Sequence, residues 1–232
     1  MRKLVPFATL SLLACATTDA HFERPGWKDR WRTLRTLGLV EPVVDVMPAS
    51  LDPLARDALK RETAEIVLAA VAAELGKRGV GVRRLSPEPS TRDGLAALAH
   101  RFDAAAEAAG RAGDPGAVLS RAALGEAGSL SHACGVDGFV VASATALAPR
   151  GAPRPSSFAS AGRTNFQILE EAEEGVGPSG EVEPDLSWLA VAVVDGSGEL
   201  LWAETRGAPG EDEGDPAAEV ASDLAERLPG AP

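Results

Sequence analysis

The sequence predicts an α/β domain: a single mixed β-sheet packed by three or four helices, with a C-terminal β-hairpin and a closing helix. Three observations predict it. Long helical stretches, near 52–77 and 92–109, alternate with short apolar, β-branched runs at 37–47, 79–85 and 139–147. Asp195-Gly196-Ser197-Gly198 separates two further apolar runs in the manner of a hairpin turn. The chain of 232 residues is 45% hydrophobic and 25% charged, which is ordinary for a protein with a packed core.

The first fifteen residues organise what precedes that domain. Arg2 and Lys3 form a short positive start, and Leu4 to Leu13 form an apolar run. A spanning helix needs about 20 apolar residues, so the run reads as an export signal rather than an anchor. Leu12-Leu13-Ala14-Cys15 resembles the lipobox of bacterial lipoproteins, with an aliphatic residue at −3, a small residue at −1 and then cysteine. The resemblance implies acylation of the Cys15 thiol and removal of residues 1–14. The alternative is a plain secretory signal with a chance cysteine beside its cleavage site.

Residues 15–36 then read as a lipidated tether followed by a basic, Trp-containing segment. The stretch 16–26 is short, so the domain must sit near whatever membrane holds Cys15. In WKDRWRTLRTLG, Trp27, Trp31 and Leu34 fall at helical spacing beside Arg24, Lys28, Arg32 and Arg35. Two readings are open: an interfacial helix reinforcing the lipid anchor, or a segment packing its Trp residues on the domain's own core.

Residues 37–228 form the domain. Leu37–Met47 is a strand, a kink at Pro42 and a second short strand. Asp52-Pro53 starts a helix that runs to about Lys77, with Asp as cap and Pro at the first helical position. Its segment 64–75 is apolar on nearly every side, which predicts burial between layers. Residues 79–85 form a strand, Thr91 caps a helix over 92–109, and Asp114-Pro115 opens a third helix that reaches about His132. The run FVVASATAL is the most apolar strand and belongs at the centre of the sheet. An insertion at 148–186, rich in proline at one end and acid at the other, interrupts the pattern. Strands at 187–194 and 199–204 form the hairpin, and Asp215-Pro216 starts a last helix to about Leu228.

This order of elements, with "G-V-D-G-F-V-V-A-S" at 135–143 and "D-G-S-G-E-L-L-W" at 195–202, resembles a domain of known envelope proteins. It is shared by the curli secretion lipoprotein, the N-terminal domain of the Tol-system propeller protein and related outer-membrane lipoproteins. The resemblance implies an envelope scaffold, secretion pore or synthase activator, with no catalytic residue to carry over. Two departures narrow it. The insertion lacks the long alternating strands of a membrane pore and holds Pro153, Pro155, Pro178 and Pro184. The tether is also too short for an activator that reaches across the cell wall. Ala16 and Thr17 lack the Asp that retains lipoproteins in the inner membrane of many diderms, so the resemblance implies the periplasmic face of the outer membrane.

Chemistry is sparse. His21 lies in the predicted tether. His100 and Asp103 stand one turn apart as a helix-surface pair, and His132 and Cys134 meet at a helix-to-strand junction. Cys134 reads as a small buried hydrophobe or, alternatively, a nucleophile. No zinc spacing, phosphate-binding glycine loop or nucleophile elbow occurs. Glu170, Glu171, Glu173, Glu174 and Glu211, Asp212, Glu213 lack the spacing of a calcium loop and read as solvated charge.

The net charge of −11 argues against nucleic acid as a partner and against general adsorption to anionic lipid. The two cysteines give no disulfide framework once Cys15 carries lipid. The expectation is therefore a lipid-anchored periplasmic protein whose domain binds an envelope protein without catalysis. It has no cofactor and no metal, and it meets the membrane through Cys15. The alternative is a hydrolase or small-ligand-binding module with an unmarked pocket. Two candidate binding surfaces follow: an exposed edge of the sheet and the insertion at 148–186.

Overall fold

Gly138–Leu147 (β5) becomes a central strand, as its lack of alternation predicts, and every residue but Thr145 is buried. The computed structural model describes residues 19–49, 51–86, 88–125, 127–148, 184–207 and 215–228. Around β5 lie Ala20–Glu23 (β1), Thr36–Leu39 (β2), Val43–Met47 (β3), Gly81–Arg84 (β4), Asp185–Asp195 (β6), Leu200–Gly207 (β7) and Asp215–Pro216 (β8). The sheet is open and mixed, in the order β1-β7-β6-β5-β2-β4, with β3 also on β5 and β8 on β6. The strands β2, β3 and β4 run parallel to their neighbours, and the β5–β6–β7–β1 half is antiparallel.

Six helices are described. They are Trp27–Trp31 (α1), Pro53–Lys77 (α2), Arg92–Gly110 (α3), Pro115–Ser120 (α4), Gly128–Cys134 (α5) and Ala217–Glu226 (α6). Leu68, Val71 and Leu75 of α2, with Val220 and Leu224 of α6, pack on one face of the sheet. Leu95, Phe102 and Ala106 of α3, with Leu119 of α4, pack on the other. Alternate strand residues feed the two cores: Val140, Val191 and Trp202 one way, Phe139, Ala190 and Leu200 the other.

The Pro42 kink is real and small. Leu39 pairs with Val140 but Val43 pairs with Ser143, so the stretch between them holds one residue more than β5. The strands β2 and β3 are two halves of one bulged strand along β5.

The two motifs that carry the resemblance are packing devices. Asp137 Oδ2 accepts the N–H groups of Arg35 and Thr36, both at 2.8 Å, and so holds the entry to β2. A Cβ on Gly138 would lie 2.6 Å from the Val194 carbonyl oxygen, so the close approach of β5 and β6 admits only glycine there. In the hairpin, Asp195 Oδ1 accepts from the Ser197 and Glu199 N–H groups at 2.9 and 3.0 Å, and Gly198 takes φ +91°.

Several expectations are corrected. The predicted tether at 16–26 ends before Ala20, because Ala20–Glu23 pairs antiparallel with β7. The domain therefore starts well before residue 37. Trp27 and Trp31, 9% and 3% exposed, belong to the core, so the interfacial reading of α1 gives way to the packing one. Two basic residues of this segment serve the hairpin: Arg24, just before α1, donates from Nε to the Leu200 carbonyl at 2.8 Å, and Arg30 of α1 pairs with Asp195 at 3.0 Å.

The helix α2 is an outer layer rather than a buried one, with Glu65, Ala69 and Ala73 on its exposed side. Alanine costs little when left in water, which is why an all-round apolar reading misled. Thr91 does not cap α3, since its hydroxyl donates to the Glu88 carbonyl instead. The third helix breaks after Ser120, with Gly125 at φ +91°, into α4 and α5. Asp215 is no cap either: it lies in β8 and pairs with Arg206 at 3.3 Å. The Asp52 and Asp114 caps form as expected, accepting from Leu54 and Ala117 N–H groups at 2.9 and 3.0 Å.

Candidate functional site

The structure disperses the residues singled out for chemistry. Cys15, the acidic run at 170–174 and the acidic run at 211–213 lie outside the described residues. His21 sits on β1, not in a tether, with Nδ1 2.8 Å from Glu204 Oε2. A carboxylate only accepts, so Nδ1 carries the proton in that bond. Asp103 turns away from His100 and accepts the hydroxyl of Ser143 on β5, so the expected His100–Asp103 surface pair does not form.

His132 is exposed on α5, while Cys134 at its end is partly buried and free. Burial pushes the Cys134 thiol up from its ordinary value, and the nearby positive charge of Arg83 only partly opposes this. Arg83 spends a donor on the Cys134 carbonyl at 2.9 Å. His100 lines a cavity whose lining includes neither His132 nor Cys134. Among the described residues, no group of three His, Cys, Asp or Glu side chains is placed to hold a metal ion.

Glu204 is the charge that sequence reading missed. It is 7% exposed, on the strand residue after Ala203, and accepts from Arg227 at 2.6 Å as well as from His21. The carboxylate raises the Arg227 pKa above its ordinary value. The neighbouring Arg206 bridges Asp223 at 2.6 Å and Asp215 at 3.3 Å. This network closes the end of α6 onto the sheet and is fully paired, which marks it as structural.

The concave feature lies at the other side of the sheet. The strand β4 covers β2 only as far as the Leu85 N–H bond to the Leu39 carbonyl, at 3.1 Å, and then leaves the edge. Beyond that step β3 has β5 on one side and, among the described residues, no strand on the other. The Ala148 N–H donates to the Met47 carbonyl at 2.9 Å. A parallel ladder uses every second residue, so Val43, Asp45 and Met47 bond to β5. The backbone groups of Val44 and Val46 face the open side.

Helices wall this edge. On the α2 side stand Lys60, Arg61 and Ala64, and on the α3 side stand Arg92, Leu95 and His100, around a cavity of about 390 Å³. Its floor is apolar and its rim is charged. Lys60, Arg61 and Arg92 make no ion pair among the described residues, although Arg61 Nε donates to the Asp57 carbonyl at 3.2 Å. By contrast, Arg84 just outside is spent on Glu65, with Nη1–Oε2 at 2.6 Å, and holds that carboxyl below the usual carboxylate range. Glu41 and Asp45 are the acidic members of the rim. The sequence named an exposed sheet edge as a candidate surface but gave no means to choose β3.

No protein-family model matches the chain, and no curated protein does. Among solved structures, it is similar to the PelC dodecamer from Paraburkholderia phytofirmans at 13% identity and a TM-score of 0.35, over 91% of this chain and 93% of that one. A point variant of that dodecamer in another crystal form gives 12% identity and a TM-score of 0.32, over 91% and 95% of the two chains.

Proposed function

We propose that this chain is a lipid-anchored envelope protein on the periplasmic face of the outer membrane, and that its α/β domain is a non-catalytic module for protein binding or assembly. The observation that carries the reading is the order of Arg2-Lys3, the apolar run and Leu12-Leu13-Ala14-Cys15. The fold sharpens its geometry. Four residues separate the lipid site from β1, and at about 3.5 Å per residue Ala20 stands under ~20 Å from Cys15. The domain lies against its membrane and meets partners there. The acidic surface and the buried tryptophans leave the lipid as the means of attachment.

The motifs at 135–143 and 195–202 set strand entry, strand approach and turn, so they support kinship of fold with the curli-secretion and Tol-propeller domains rather than a shared activity. The dispersal of His100, His132 and Cys134 weakens the hydrolase alternative. A small-ligand module retains one supporting observation, the cavity beside His100.

In-cell crosslinking of the tagged protein, with Cys15→Ser as control, tests the reading. The expected result is one specific envelope protein captured by the wild type and lost in the control. Capture of the same protein by both forms would remove the anchor from the mechanism, and capture of nothing would shift weight to the ligand reading.

A further inference from the structure

We infer that the open edge of β3 is a strand-addition site for an extended segment of a partner protein that carries acidic residues at alternate positions. The inference rests on the protein-binding reading above and names its site and the chemistry of the partner.

Three features converge on this edge. First, Val44 and Val46 present N–H and C=O groups to the open side, and among the described residues these donors and acceptors meet no strand. Other free edges are guarded: β4 carries Arg83 and Arg84, each already bonded, and β1 spans only four residues. Second, the edge lies between two helices rather than in open water, so an added strand buries side chains on both faces. Third, the charges match one pattern. Val44 and Val46 point to the α2 face, where Lys60 and Arg61 stand. Leu95, Ala96 and Ala99 line the α3 face. Successive side chains of a strand alternate between faces. An added strand therefore places acidic side chains on Lys60 and Arg61 and apolar ones on the α3 wall.

Asp45 sits on that α3 face with Arg92 and His100. The charges on that face are mixed, so the adjacent cations Lys60 and Arg61 on the α2 face set the register of the alternation. A basic partner would leave Lys60 and Arg61 opposed by like charge in a chain that is otherwise strongly acidic.

The test uses the full chain and three synthetic peptides of about six residues, the length of a short strand. One alternates valine and glutamate, one alternates valine and lysine, and one repeats the first with methylated backbone nitrogens. The glutamate peptide should bind, protect the Val44 and Val46 amides from hydrogen exchange, and weaken about tenfold, or 1.4 kcal/mol, in the variant Lys60→Glu/Arg61→Glu, which changes one half-buried and one exposed side chain. The lysine and methylated peptides should not bind. Equal binding of the methylated peptide, or of free glutamate, would overturn strand addition in favour of a small anion. Self-association of the chain that blocks the peptide would overturn it in favour of a second copy. If the peptide fails while in-cell crosslinking still captures a partner, the edge is excluded and the adaptor reading stands.

Discussion

The guanidinium of Arg227, at the end of α6, holds the buried carboxylate of Glu204 on β7 at 2.6 Å. The partner bond to His21 at 2.8 Å completes a bridge from the last helix through β7 to β1. The first and last described elements of the domain are thereby fixed to one another.

Arg227→Ala leaves Glu204 buried with His21 alone. Since Arg227 is itself about half exposed, the expected loss is modest, about 1–2 kcal/mol, which lowers Tm by roughly 2–4 °C per kcal/mol for a chain of this size. Replacing both partners, Glu204→Leu with Arg227→Met, should recover most of that loss because no unpaired charge remains. Calorimetry on the single and double variants decides it, and an unchanged Tm in Arg227→Ala would contradict the role given to the pair.

Asp137→Ala removes the acceptor of two backbone N–H groups at the start of β2. The site is exposed, so water replaces part of each bond, and about 1–2 kcal/mol should be lost in urea unfolding. An equally stable variant would show that the entry to β2 holds without the carboxylate.

All four tryptophans are buried, at 9, 3, 8 and 1% exposure for Trp27, Trp31, Trp188 and Trp202. The Cys15→Ser protein should therefore emit at short wavelength, and anionic vesicles should shift that emission no further. Trp31→Ala should cost about 3–5 kcal/mol as a core truncation. A blue shift on adding vesicles, with Trp31→Ala as stable as the parent, would restore the interfacial reading of α1.

Burial raises the Cys134 pKa from an ordinary 9.0. The folded state thus keeps its thiol proton where the unfolded chain has lost it. The resulting linkage leaves stability unaffected below pH 9 and lowers it as pH rises through the raised value. In a Cys15→Ser background, Cys134 should alkylate more slowly in the folded protein than in urea at pH 8. Faster alkylation in the folded state would mark an activated thiol and revive the nucleophile.

Much of the fold is legible because local signals agree with it. The capping aspartates Asp52 and Asp114, the turn at 195–198 and the unbroken apolar run of β5 each carry their own structural cause. What escaped depends on distant partners. Nothing near Ala20–Glu23 marks a strand, since β1 exists by pairing with residues 202–205. Trp27 and Trp31 show the same helical spacing whether they face lipid or core. The groove is hidden for a related reason: Lys60 and Arg92 are ordinary helix-surface residues until the step between β4 and β3 places them on either side of an open edge.

The most direct test of the central claim is labelling cells with radioactive palmitate while they express the wild type or Cys15→Ser, followed by separation of inner and outer membranes. The account predicts label on the wild type alone, in the outer-membrane fraction, with Cys15 as the mature amino terminus. An unlabelled wild-type protein cleaved elsewhere, or one free in the periplasm, would contradict it.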